Sequence, residues 1–125
     1  MLPTTQLISA LISKTKNKKI YWEYLSKFPK LELIIHNIIN ENDLDIDFFE
    51  EDSSFYIQYK NGFFALISSP SGTFLFALPA IDAKVKAPLN SCFDYQSDLV
   101  RLVNLAIKQH PNLEDFIDDF LNSAD

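Results

Sequence analysis

Phe55-Tyr-Ile-Gln-Tyr-Lys60-Asn-Gly-Phe-Phe-Ala65-Leu-Ile-Ser-Ser-Pro70-Ser-Gly-Thr-Phe-Leu75-Phe-Ala-Leu78 is the stretch that decides the fold. Asn61-Gly62 separates two apolar runs, the strongest short-range sign of a β-hairpin. A type I′ turn needs positive φ at both central residues, which Asn tolerates and Gly adopts freely. A two-residue loop at Asn61-Gly62 predicts Lys60 opposite Phe63, Tyr59 opposite Phe64, Ile57 opposite Leu66 and Phe55 opposite Ser68. Ser69-Pro70-Ser71-Gly72 is a second turn, leading into a strand over Thr73 to Leu78.

Side chains alternate across a strand, so the ribbon has two faces. One carries Phe55, Ile57, Tyr59, Phe64 and Leu66 and reads as core. The other carries Phe63, Ile67 and, on the third strand, residues such as Leu75; it is more apolar than a solvated face should be. Either a helix covers that second face or another molecule does. Phe63, Ile67 and Leu75 are therefore the candidate partner-binding residues. As an alternative, Phe55, Tyr59, Phe64, Phe74 and Phe76 form a candidate aromatic ligand pocket between sheet and helices.

Outward from the ribbon, the acidic stretch 41–52 alternates Leu44, Ile46 and Phe48 with Asp43, Asp45 and Asp47, the period of a strand with one wet face. Acids along it would discourage pairing with a second molecule. Ile81, Ala83 and Val85 alternate with Asp82, Lys84 and Lys86, which predicts a fifth short strand closed by Pro88. The expectation is an antiparallel meander of four or five strands over residues 43–86.

Helices flank it. Thr4 or Thr5 can cap a first helix with Leu7, Ile8, Leu11 and Ile12 on one face. A second carries Tyr21, Tyr24, Leu25 and Phe28, and a third, after Pro29, has Leu31, Ile34, Ile35, Ile38 and Ile39 inward, so that helices fill residues 4–41. Two C-terminal helices are expected over residues 94–122. The first starts near Asp94 or Ser97 and is apolar over most of its circumference, which predicts burial against the sheet. His110-Pro111 breaks it. Asn112 caps the last, where Leu113, Phe116, Ile117, Phe120 and Leu121 follow i, i+3, i+4, i+7, i+8 spacing opposite Glu114, Asp115, Asp118 and Asp119. The C-terminal pair is expected on one sheet face and the N-terminal helices on the other or in the same layer. The last helix either docks on its own sheet or reaches into a groove on another chain.

At 125 residues this is one α+β domain, 1–125, long enough to bury a core. Apolar residues make up 47%, which argues against a disordered chain. A net charge of −6 argues against nucleic acid as a partner. No apolar run reaches the ~18 residues of a membrane span, and the N-terminus lacks the pattern of an export signal. One cysteine, Cys92, cannot form an internal disulfide, and with two histidines it cannot complete a Cys/His zinc site, which fits a reducing cytoplasm.

The chain is electrically lopsided: residues 14–30 hold six lysines and one acid, residues 41–52 seven acids and no base. Such asymmetry steers a partner or aligns two copies head to tail. Asp43-x-Asp45-x-Asp47 has the opening spacing of a calcium loop, but Phe48 and Ser54 stand where that loop needs Gly and Glu, so no metal is assigned. Nothing in the pattern ties His36 or His110 to Cys92, so no nucleophile–base set emerges and no catalytic residue or cofactor is assigned. Asp82 and Asp94 read as a strand's outer residue and a helix cap, and the aromatic group Tyr21, Trp22 and Tyr24 as core. The expectation is a non-catalytic intracellular binding protein acting through a protein partner or a second copy. An adaptor, an acidic antidote to a basic toxin and a homodimer all fit. A small-molecule-binding regulatory domain is the alternative, and an enzyme the third reading.

Overall fold

The computed structural model describes residues 3–34, 38, 50–80, 82–83 and 87–123. Helix α1 spans Thr4–Lys16. Strand β1 is Glu23–Tyr24, followed by a 3-10 turn at Leu25–Lys27 and a single helical turn, α2, at Leu31–Ile34. Strands β2 (Phe55–Tyr59), β3 (Gly62–Ser69) and β4 (Gly72–Leu78) form the meander. Helices α3 (Gln96–Lys108) and α4 (Leu113–Leu121) complete an α+β fold. The sheet is antiparallel throughout, in the order β1-β2-β3-β4. The strand expected around residues 43–48 lies outside the described residues. So do residues 81 and 84–86 of the expected fifth strand and most of the third helix beyond Ile34.

The β2–β3 turn is not at Asn61-Gly62. Tyr59 pairs with Gly62, Ile57 with Phe64 and Phe55 with Leu66, so the loop is Lys60-Asn61 and the register slides by two residues. Lys60, at φ 55°, takes the left-handed conformation, and Asn61 does not, which excludes type I′. A slide of two keeps every side chain on its face, where a slide of one would invert them all. Gly62 is drawn into the strand because a side chain there would collide with the Leu78 carbonyl oxygen, 2.1 Å from an added Cβ, and with the Pro79 backbone. The glycine serves close approach of the β4 end, not turn geometry.

Both sheet faces are covered. On one, Phe55, Ile57, Leu66 and Leu75 pack with Ile8, Leu11 and Ile12 of α1, Leu99, Leu102, Val103 and Ala106 of α3, and Trp22. On the other, Phe63, Ala65, Ile67, Phe74, Phe76 and Leu78 pack with Leu25, Phe28 and Ile38. Thus α1 and α3 share one layer, and Leu25, Phe28, Leu31 and Ile38 lie in the opposite one. Helix α3 buries one stripe and leaves Val100 and Ile107 exposed; it is amphipathic and not surrounded.

The expected second helix is largely absent. Ile20, Trp22 and Tyr24 enter the α1/α3 core at strand spacing, and Glu23 and Tyr24 pair with Tyr56 and Phe55. Edge pairing with β2 outweighs a helical pattern this short. Trp22 is enclosed, and its indole N–H donates to Thr15 Oγ1 (2.9 Å), whose hydroxyl donates to the Leu11 carbonyl (2.6 Å).

The outer edge of β4 is closed by side chains. Asn90 Oδ1 accepts from Leu75 N (2.9 Å), and its amide donates to the Thr73 carbonyl (3.0 Å). Gln96 Oε1 accepts from Thr73 N (2.9 Å), and Leu89 N donates to the Leu75 carbonyl (2.8 Å). The edge thus offers no free ladder there for a visiting strand.

Candidate docking surface

The residues first expected to meet a partner have no surface to offer. Phe63, Ile67 and Leu75 are 4%, 2% and 0% exposed. They are also not neighbours on one face: Leu75 pairs with Leu66 and Ile67 with Phe74, which puts Leu75 in the opposite core from Phe63 and Ile67. The physical reason is that Leu25, Phe28, Leu31 and Ile38 cover Phe63 and Ile67, while α1 and α3 cover Leu75. The aromatic pocket fails likewise. Phe55 and Phe64 belong to one core, Phe74 and Phe76 to the other, and Tyr59 lies exposed near the hairpin tip.

Exposed apolar surface is concentrated instead on α4. Leu113, Phe116, Ile117, Phe120 and Leu121 are 74%, 65%, 46%, 73% and 70% exposed. The helix forms because its sequence has a single dominant apolar stripe and its ends are satisfied locally. Asn112 Oδ1 accepts from Asp115 N (2.7 Å), and Asn122 Nδ2 donates to the Asp118 carbonyl (2.8 Å). It makes no substantial contact with any other described element. Full burial of such a side chain is worth about 1.5–3 kcal/mol, so the stripe leaves roughly 5–10 kcal/mol of transfer free energy unrealised. Nine residues are too few for a helix to stand firmly by itself. Glu114 and Asp115 favour its N-terminal turn, but Asp118 and Asp119 oppose the negative pole at its C-terminus, and no basic residue lies in the last turn.

The joint before α4 is held firmly. Gln109 bonds to the extended segment as a strand would: its Oε1 accepts from Trp22 N (2.8 Å) and its Nε2 donates to the Ile20 carbonyl (2.9 Å). His110 sits against Tyr24 and Tyr21, ring centroids 4.6 and 4.9 Å away. Its Nε2 donates to the Trp22 carbonyl (2.5 Å), and its Nδ1 lies 3.2 Å from the Tyr21 hydroxyl, within hydrogen-bond reach. Helix α4 therefore leaves from a fixed root.

A groove of about 220 Å³ lies between α1 and the β2–β3 hairpin, lined among others by Leu7, Ala10 and Lys14 facing Ile57, Tyr59 and Phe64. Among the described residues no acid lines it. At the hairpin tip the Lys60 ammonium stands 5.4 Å from the Tyr59 ring centre.

Other chemistry is sparse. Cys92 is exposed, and Asp94 Oδ1 accepts from Ser91 N at 2.5 Å, fastening a loop turn and not the start of α3, where Tyr95 occupies the cap position. Among the described residues no group of three His, Cys, Asp or Glu side chains converges as a metal would require. His36 lies outside the described residues. The Tyr56 hydroxyl is pushed above its ordinary pKa by burial and then by the negative charge of Glu23. No described helix is long and apolar enough to cross a membrane. Comparison with protein-family models, with curated proteins and with solved structures finds no match.

Proposed function

We propose that this chain is a non-catalytic protein-binding domain that acts through the apolar face of α4. One observation carries the reading: five large apolar side chains at faultless helical spacing are all left outside the core of a domain that otherwise covers both faces of its sheet. Helix-in-groove recognition uses anchors at this i, i+3, i+4, i+7 spacing. The polar face argues for a protein over a lipid surface, because Glu114, Asp115, Asp118 and Asp119 would be repelled by anionic headgroups. It argues against nucleic acid for the same reason. The non-catalytic part of the reading rests on the sequence, which links no nucleophile to a base. A cytoplasmic setting suits the lone, exposed thiol of Cys92.

The test is the double variant Phe116→Asp/Phe120→Asp. It should stay folded, with the parent's circular dichroism spectrum, because neither side chain belongs to a core cluster. Its association with any protein bound by the parent, this chain included, should fall at least tenfold. Undiminished association by a folded double variant would refute the proposal.

A further inference from the structure

The groove between α1 and the β2–β3 hairpin has the complementary character to α4. Its floor is apolar, Lys14 lies in its wall, Lys60 stands by its hairpin end, and among the described residues no acid lines it. Helix α4 has an apolar stripe flanked by four acids. Its exposed stripe does not fill the groove of its own chain, and its root is tied to Ile20 and Trp22. We infer that the occupant of α4 is a second copy of this chain, each copy seating its α4 in the partner's α1–hairpin groove. This rests on the reading of α4 as a docking element and specifies what it docks into.

Charge and size both favour the reciprocal arrangement. The groove's lysines would face Asp115, Asp118 and Asp119 and would also lie near the negative pole that α4 leaves uncompensated. A net charge of −6 repels two copies at a distance, so association must rest on local pairing of the lysine-rich and acid-rich patches. A nine-residue helix is only about 14 Å long. A single docking is therefore small beside the ~1,600 Å² of a standard interface. A two-fold pair doubles the contact and closes the assembly without leaving a free helix to recruit a third copy.

The experiment is light scattering and sedimentation on the full chain, with two single variants and their mixture. The parent should have twice the chain mass and dissociate as salt is raised. Phe120→Asp spoils the helix and Ala10→Glu spoils the groove; Ala10 is exposed on α1, so the fold tolerates the change. Each variant alone should be monomeric. Mixed, they retain one intact helix and one intact groove, and should associate more weakly than the parent but measurably. A monomeric parent, or an Ala10→Glu protein that still dimerises, overturns the inference. Amide exchange on the parent separates the two levels. A monomer with freely exchanging α4 amides removes the second copy but leaves α4 as a docking element. A monomer with protected α4 amides shows the helix seated on its own body, and both readings fall.

Discussion

Gly62 shows how much one residue settles. Beside Asn61 it reads as half of a hairpin turn, yet it is a strand residue whose missing side chain lets the end of β4 run across it. Gly62→Ala should destabilise the domain by about 1–3 kcal/mol in urea unfolding, because the obstacle is backbone and cannot swing aside. A neutral result would mean the β4 end is not held there. Tyr56 yields a prediction of a different kind. Its hydroxyl is raised above the usual value by burial and by Glu23, so ionising it costs more in the folded state than in the unfolded chain. Its contribution is whole below about pH 10 and is lost as pH climbs through the raised folded value. Tyr56→Phe should therefore lose less stability than the parent between about pH 8 and about pH 11, measured by denaturant midpoints.

At the scale of elements, α4 and the rest of the fold obey different energetics. Helices α1 and α3 are stabilised by packing on the sheet, whereas α4 is closed by its own caps. Asn112→Ala should cost about 1 kcal/mol of local helix stability. The loss should appear as faster amide exchange at Asp115 and Phe116, whose amides bond to Asn112; unchanged exchange there would mean that the cap does not hold the helix. The segment 20–24 is instructive in the opposite direction. Tyr21, Tyr24, Leu25 and Phe28 follow helical spacing, while Ile20, Trp22 and Tyr24 follow strand spacing. The second pattern wins because β2 has an open edge at Tyr56 and Phe55. Both patterns are present in the letters, and only the availability of an edge chooses between them.

For the molecule as a whole, the decisive fact is that both sheet faces are enclosed while one terminal helix is not. Phe63→Asp and Leu75→Asp should each leave an unfolded or molten chain by circular dichroism, since a carboxylate in either core costs several kcal/mol against a total stability of about 5–15. Folded, well-ordered forms of both variants would contradict the two-core packing. The sequence by itself determined the α+β class, the antiparallel meander, the alternation of side chains along β2 and β3, and the start, stripe and cap of α4, because these follow from periods of two and 3.6 and from local capping chemistry; it matched Leu75 of β4 to the wrong face and read β1 as helix. It could not decide which apolar faces are spare. Phe63 and Phe120 are equally apolar as letters. One is covered because Leu25, Phe28, Leu31 and Ile38 pack across its face, and the other is exposed because α4 leaves its root at Gln109 and His110 with its apolar stripe outside both cores. Burial is a relation between segments far apart in the chain, and only the tertiary structure contains it.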